Sequence, residues 1–221
     1  MGLDRKPLPD LRGGPEVVAP ALIGMRLRSE IGSPVEIVIT EVEAYGDVGT
    51  DPASHAHRGP TPRNATMFGR AGLLYVYRSY GIHWCCNVVT GVEGNAGAVL
   101  LRAGEVVEGL EVARQRRPAA RRDQDLARGP GRLCSALSVT GAQDGLDLLD
   151  PRSPVRLLAG AEAQSELHIT TRVGISREVD RPWRWAWAGH PTVSRSSGAA
   201  RPPNPAPSRS TDSLWRGPIE G

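Results

Sequence analysis

Two glutamates, Glu41 and Glu43, are the first side chains whose type and spacing could support chemistry. They stand two residues apart in the stretch EVEAY, so on a strand they would share one face, roughly 6.6 Å apart. A carboxylate that is buried beside an aromatic ring, such as that of Tyr45, has a raised pKa and can act as a general base on water. Solvated glutamates at a strand edge are the more frequent explanation of this pattern, so the motif needs support from elsewhere in the chain.

Three tyrosines and an arginine within six residues form the second candidate site. Aromatic residues make up only 5% of the chain, yet the stretch YVYRSY brings Tyr75, Tyr77 and Tyr80 together. On a strand Tyr75 and Tyr77 share a face, whereas Gly81 can turn the chain and direct the Tyr80 ring outward. Aromatic rings stack on nucleic-acid bases and attract cationic ones. Half-buried tyrosines with their hydroxyls in water are an equally common alternative.

The histidines and cysteines do not indicate a metal or a cofactor. His55 and His57 lie two residues apart in a loop, without a third and a fourth ligand at a familiar spacing. The adjacent Cys85 and Cys86 would point to opposite faces of a strand, and together with Cys134 they are typical of small core residues. We therefore predict no disulfide, no metal and no cofactor.

Arginine supplies nearly all of the positive charge. The 221 residues include 27 Lys+Arg and 24 Asp+Glu, which gives a net charge of +3 and a pI near 9.0. This mild excess excludes no class of protein. A cluster of arginines could meet a phosphate backbone, and a solvated helix face is an equally good explanation. The cluster consists of Arg114, Arg116, Arg117, Arg121, Arg122, Arg128 and Arg132.

The strands that would position these residues can be recognised from β-branched content and alternation. The segment from Val35 to Tyr45 predicts a strand whose odd-numbered apolar residues, ending with Ile39, share one face with Glu41 and Glu43. Segment 46–70 is a long loop rich in Gly, Pro and Thr, which is typical of functional or mobile loops. Further strands are predicted at Leu73–Tyr80, Ile82–Val89, Ala98–Arg102, Val155–Leu158, Ile169–Val173 and Trp183–Trp187.

Proline opens two of the three predicted helices. Pro15 and Pro130 can each take the first position of a helix, where the missing N–H loses no hydrogen bond. The helix at Pro130 would present free backbone N–H groups to an anion. Between them, hydrophobic residues with helical spacing after Gly104 predict a helix that ends near Arg117.

Residues 1–194 are predicted to form one α+β domain, with a curved, mostly antiparallel sheet surrounded by helices. Segment 195–221 is rich in Arg, Pro and Ser and has too few hydrophobic residues to order itself, so we predict a disordered tail. No hydrophobic stretch approaches the ~20 residues that cross a bilayer. The charged, proline-containing start does not resemble a secretory leader, and we expect a cytoplasmic protein without a membrane partner.

Several stretches, in their content and in their order, resemble the alkyladenine (3-methyladenine) DNA glycosylase family. They extend from the first helix to about residue 194. The resemblance implies a methylpurine-DNA glycosylase-like fold and an enzyme that excises alkylated or deaminated purines from duplex DNA as a nucleoid-associated monomer. The stretches are EVEAY, SHAHRGPTPRN, MF, LLYVYRSYGIHWCCN, AVLLRA, GPGRLCSAL and RVGI.

The resemblance also implies roles around the reacting bond. Glu43 matches the general base that deprotonates the attacking water, and Arg102 and the backbone carbonyl of Val173 match the groups that hold this water. The walls of the base pocket match Tyr45, His55 and Tyr77. His55 is preferred to His57 because it follows a small residue, Ser54, and His57 is the alternative.

Other matched residues would handle the duplex and select the base. Tyr80 matches the wedge that replaces the extruded nucleotide in the stack. Asn87 matches the residue that crowds the 2-amino group of guanine and so refuses the normal base. We also predict that Arg63 and Arg132 contact DNA phosphates through charge-assisted hydrogen bonds.

Two other classes of function remain open at the level of sequence. Glu41 and Glu43 could form the carboxylate pair of a glycoside hydrolase, because their predicted separation is near the lower edge of the range of about 6.5–9.5 Å for inverting enzymes. That hypothesis leaves Tyr80 and Asn87 without a role. The other class is a non-catalytic DNA-binding module, in which the tyrosines stack on bases and Glu43 is incidental.

Overall fold

One curved antiparallel sheet forms the centre of the molecule and is built on two eleven-residue strands, β2 (Val35–Tyr45) and β5 (Ala98–Glu108). The other strands are β1 (Arg26–Ser29), β3 (Leu74–Ser79), β4 (His83–Val89), β6 (Val155–Leu158), β7 (Leu167–Thr170) and β8 (Arg184–Trp187). They follow the order β3–β4–β5–β2–β1–β6, while β8 pairs with β2 and β7. The computed structural model describes residues 6–160 and 166–194, and the tail predicted at 195–221 lies outside these residues.

Within the described residues, three helices pack against the sheet: α1 (Pro15–Leu22), α2 (Leu110–Arg116) and α3 (Pro130–Leu137). Two of them begin at the predicted prolines, each at the first helical position. α1 packs on β2, and α3 packs on β4 and β5. Their hydrophobic side chains join those of the sheet in one core, which confirms the predicted single α+β domain.

A bulge in β2 separates the core residues from the candidate catalytic carboxylates. The pairing of β2 with β5 shifts register on both sides of Glu41, and both Ile39 and Val42 are fully buried in the same hydrophobic core. An extra residue in one strand reverses the alternation of side chains beyond it. The prediction that Ile39 shares a face with Glu43 is therefore wrong: beyond the bulge, Val42 faces the core and Glu43 faces the opposite side of the sheet.

The largest difference from the predicted elements concerns the end of β5 and the start of α2. β5 continues past Gly104 to Glu108, so the helix predicted directly after Gly104 starts only at Leu110. Gly104 suits the middle of this strand because a Cβ there would lie 2.6 Å from Ile37 Cδ1 and 2.9 Å from the Val38 carbonyl oxygen. The absence of a side chain allows β2 and β5 to stay paired through this point.

The remaining predicted strands are confirmed, most of them with ends that differ by one or two residues. β4 and β5 form the predicted antiparallel pair. β7 ends at Thr170, so Val173 lies in the connection to β8 and not in a strand. In the part of the chain that the structure describes, no helix is long and apolar enough to cross a membrane.

Candidate active site

A cavity of about 750 Å³ opens on the side of the sheet that faces away from the main core. Its floor comes from β4 and β5, and its walls come from β3, from the loop 46–70 and from the connection that carries Val173. Of the predicted site residues, eight line it: Tyr45, His55, Arg63, Tyr77, Tyr80, Asn87, Arg102 and Val173. Arg132 is exposed outside it, and Glu43 lies directly beneath its floor.

Glu43 is fully buried and is held by three groups that line the cavity. Its Oε2 accepts hydrogen bonds from the Tyr45 hydroxyl and from Arg102 Nη1, both at 3.0 Å. Its Oε1 accepts one from the backbone N–H of Val173 at 2.6 Å. Burial raises the pKa of Glu43 above its ordinary value, and Arg102 opposes this only in part. The result is a carboxylate whose proton affinity suits a general base.

Glu41 is equally buried but is bound on every side by cationic and hydrogen-bonding groups. Its Oε1 accepts from Arg102 Nε at 2.9 Å and from Arg184 Nε at 2.8 Å. Ser194 donates to both of its oxygens, from Oγ at 2.7 Å and from the backbone N–H at 2.6 Å. Burial alone would raise the pKa of Glu41, but Arg102, Arg184 and Ser194 together lower it. Neither glutamate lines the cavity, and of the groups that bind Glu41 only Arg102 does, so the paired-carboxylate arrangement of a glycoside hydrolase has no support here.

A buried ion pair that was not predicted from the sequence lies next to the groups that hold Glu43. Arg172 donates to both carboxylate oxygens of Asp51, at 2.6 and 2.9 Å, and both side chains have 0% exposure. The Arg172 guanidinium also lies 4.8 Å from the centre of the Tyr45 ring. Arg172 directly precedes Val173, so the pair fixes two of the groups that hold Glu43. The only sequence signal was the place of Arg172 in the RVGI stretch.

Three aromatic rings form one wall of the cavity. Tyr75 and Tyr77 stack with 5.6 Å between ring centres, and His55 meets Tyr77 edge-on at 4.5 Å. His55 Nδ1 is 3.0 Å from the Tyr75 hydroxyl. Burial and the nearby Arg63 lower the pKa of His55, so its imidazole is neutral at neutral pH. His57 does not line the cavity, and the geometry thus favours His55 over His57 for the pocket.

β4 contributes two neighbours of different character to the floor. Asn87 is buried and donates from Nδ2 to the Tyr75 carbonyl at 3.1 Å, which fixes its amide. Cys85 lines the cavity, whereas Cys86 lies in the main core, so the two thiols do point to opposite faces. Burial raises the pKa of the Cys85 thiol to about 11, and it stays protonated at neutral pH.

The turn between β3 and β4 projects two hydrophobic side chains into solvent at the cavity rim. Tyr80 is 89% exposed and Ile82 is 67% exposed. Tyr80 has a φ of 48°, a left-handed conformation that is costly for a residue with a side chain, and Gly81 follows with a φ of 68°. A strained turn that exposes two large hydrophobic side chains is unusual unless a partner covers them. The exposure of Tyr80 was predicted from the sequence, whereas Ile82 was placed in a strand.

The predicted phosphate contacts differ in their environment. Arg63 lines the cavity and donates to the Arg78 carbonyl at 3.0 Å. Arg132 is exposed on α3 and does not line the cavity. Neither guanidinium group forms an ion pair with a described residue, so both are available to pair with an anion.

This geometry agrees with what comparison with known proteins shows. The chain matches the methylpurine-DNA glycosylase (MPG) family over residues 10–191, which is most of its length. The chain belongs to this family. The match includes all of the site residues described above except Ser194.

Several known proteins are similar in sequence to this chain over most of its length. A protein of Nocardia farcinica is 51% identical over 197 residues, which cover 87% of this chain and 92% of the relative. A protein of Burkholderia lata is 47% identical over 178 residues, 80% and 84% of the two chains. One of Mycobacterium tuberculosis is 45% identical over 193 residues, 86% and 93% of the two chains. Each carries the name "Putative 3-methyladenine DNA glycosylase".

Proposed function

We propose that this protein is a monofunctional DNA glycosylase that flips an alkylated or deaminated purine out of duplex DNA and hydrolyses its N-glycosidic bond. The observation that carries the proposal is the buried Glu43, whose pKa is raised, held beneath a tyrosine-lined cavity by Tyr45, Arg102 and Val173. Family membership and the names of the relatives support the same reaction class.

In the proposed reaction a water molecule attacks C1′ of the flipped nucleotide. Glu43 takes a proton from this water as the C1′–O bond forms, and the C1′–N bond breaks with its electron pair going to the purine. Arg102 and the Val173 carbonyl hold the water. None of the described residues that line the cavity carries a primary amine, which supports water as the nucleophile over a covalent intermediate.

The pocket suits purines that are already good leaving groups. A 3-alkyladenine carries a positive charge and departs as a neutral base, so it needs no protonation by the enzyme. Tyr45, Tyr77 and the neutral His55 offer aromatic faces that attract such a cation. Burial raises the pKa of Tyr77 well above its ordinary value, so its ring stays uncharged and does not ionise beside the substrate.

Flipping is assigned to the exposed turn between β3 and β4. The target bond is out of reach inside a stacked duplex, and a side chain must fill the gap that the extruded nucleotide leaves. Tyr80 fills it, and the neighbouring Ile82 extends the hydrophobic surface against the adjacent base pair. Asn87, fixed by its bond to the Tyr75 carbonyl, crowds the 2-amino group of guanine and excludes the normal base.

The test is single-turnover base release from duplexes that contain hypoxanthine or ethenoadenine, and from alkylated genomic DNA. We expect release by the wild-type protein and its loss in Glu43→Gln, with DNA binding retained. Glu36→Gln is the matched control, because Glu36 is a buried carboxylate of the same strand that pairs with Arg26 and Arg28 outside the cavity. Binding without release by the wild type on every substrate would leave a non-catalytic DNA-binding module.

A further inference from the structure

The arginine cluster at 114–132 divides into two groups. Four of its members are held by other groups of the protein. Arg114 pairs with Glu111 and Asp123, Arg122 pairs with Asp125, Arg128 binds Asp125 and the Val193 carbonyl, and Arg116 donates to the carbonyls of Ile31, Ser33 and Ala136. Arg121 and Arg132 make no hydrogen bond or ion pair with any residue in the described ranges. Arg117 uses only its Nε, which donates to the Leu126 carbonyl at 3.3 Å.

A second cavity, of about 520 Å³, is lined by two of these three arginines and lacks available negative charge. Arg117 and Arg121 line it, and the one acidic residue among its described lining residues, Asp123, has both oxygens occupied by Arg114. Burial lowers the pKa of Arg117, and the charge of Arg132 lowers it further. Like charges held together without a counter-ion favour binding of an anion.

The second cavity is connected to the base pocket through α3. Pro130, the first residue of this helix, lines the base pocket. Gly131 packs against His83, just after the Tyr80 turn, because a Cβ on Gly131 would lie 2.8 Å from His83 Cβ. Arg132 follows, and Arg116 Nη1 ties α2 to α3 by donating to the Ala136 carbonyl at 2.9 Å. Arg132 therefore lies within one helical turn of the base pocket, and α2, which ends directly before Arg117, packs on the same helix.

We propose that Arg117, Arg121 and Arg132 form an arginine track that binds the DNA backbone on one side of the flipped nucleotide. The inference rests on the proposed function, and it adds Arg117 and Arg121 to the phosphate contact predicted at Arg132. Guanidinium groups bind phosphate oxygens through paired N–H donors. Arg132 is the third residue of α3, whose first residue lines the base pocket, so the track starts beside the pocket and continues to the cavity that Arg117 and Arg121 line.

The first experiment measures how the affinity for undamaged and hypoxanthine-containing duplexes depends on salt. The slope of log K against log[salt] is negative, and each lost phosphate contact should make it shallower by about 0.9. We expect this loss in Arg117→Gln and in Arg121→Gln, each compared with the wild type. Arg122→Gln is the matched control, because Arg122 lines the same cavity but is already bound by Asp125. Unchanged slopes in both test variants would overturn the proposal.

A second experiment tests whether the track lies on one side of the lesion. Two duplexes carry hypoxanthine near one end, so that the flanking DNA extends either 5′ or 3′ of the lesion only. Arg121→Gln should weaken binding to one of them several-fold and leave the other unchanged. Equal effects on both duplexes would contradict a one-sided track.

These outcomes can be told apart from failure of the proposed function and from misfolding. Arg121 is exposed and has no partner among the described residues, so its replacement should leave the thermal midpoint unchanged. If the wild type binds DNA and releases base but both variants keep the wild-type salt slope, only the track is wrong. If the wild type releases no base, the proposed function fails on its own account.

Discussion

Glu43 and Glu41 lie two residues apart on β2, are both fully buried and both accept a hydrogen bond from Arg102. Their pKa values nevertheless shift in opposite directions, upward for Glu43 and downward for Glu41. The difference lies in their other partners: Glu43 has a tyrosine hydroxyl and a backbone N–H, whereas Glu41 has a second guanidinium from Arg184. Two carboxylates in different environments can thus take different roles, one as a base and the other as a fixed counter-ion.

The largest expected effect separates the two carboxylates by activity. Glu43→Gln removes the only proton acceptor proposed for the water, so single-turnover base release should fall by about 10²–10⁴-fold. Glu41→Gln should reduce release per folded molecule by far less, because only Arg102 among the partners of Glu41 lines the cavity, whereas all three partners of Glu43 do. Equal losses in the two variants, measured on the same duplex, would remove the proposed division of roles.

The free energy of unfolding should distinguish the two carboxylates in the opposite sense, with Glu41→Gln as the more destabilising replacement. Glu41→Gln leaves Arg102 and Arg184 buried with one less negative partner, and the free energy of unfolding at neutral pH should fall by about 3–5 kcal/mol. Because the pKa of Glu41 is lowered in the folded state, its contribution is present above the ordinary value and is lost as the pH falls through the lowered one. Urea unfolding at neutral and acidic pH should therefore show a deficit that shrinks on acidification.

The acidic limb of the pH–rate profile should report the pKa of Glu43. A general base must be deprotonated, so release should rise with pH through a pKa above 4.5, the ordinary value for glutamate. Arg102→Met should move this limb to higher pH and Glu41→Gln to lower pH, because Arg102 lowers and Glu41 raises the pKa of Glu43. Shifts in the same direction would show that another group limits the rate.

Base selection gives a smaller effect that does not involve either carboxylate. Asn87→Ala should relieve crowding at the 2-amino group, and release of unmodified guanine should rise by about tenfold. Release of hypoxanthine, which lacks this group, should change much less. A parallel rise for both bases would mean that Asn87 acts on the pocket as a whole.

The smallest expected effect tests the hydrogen bond that distinguishes Glu43 from Glu41. Tyr45→Phe removes the hydroxyl that donates to Glu43 Oε2 but keeps the aromatic face above Arg172. A hydrogen bond to a charged group contributes about 1.5–3 kcal/mol. Because this bond is already present before the reaction, most of that energy cancels between the ground state and the transition state, and release should fall by less than about tenfold. The pKa of Glu43 should rise, because this bond lowers it. An unaltered acidic limb would show that the bond contributes nothing.

The sequence alone determined the elements whose signals are local. The β-branched run of β2, the helices opened by Pro15 and Pro130, and the exposed position of Tyr80 before Gly81 were all predicted and are confirmed. Alternation, proline at a first helical turn and glycine in a tight turn depend on residues next to each other, so they can be recognised without the fold.

Only the tertiary structure decided which charged side chains lie in contact. The bulge around Glu41 depends on how β2 pairs with β5, and the bond between Arg172 and Asp51 joins residues 121 positions apart. The pKa values of Glu41 and Glu43 depend in the same way on Arg102, Arg184 and Val173, which come from other strands and connections. Burial and Coulomb interactions act through space, so spacing along the chain names the carboxylates but cannot say which of them is the base.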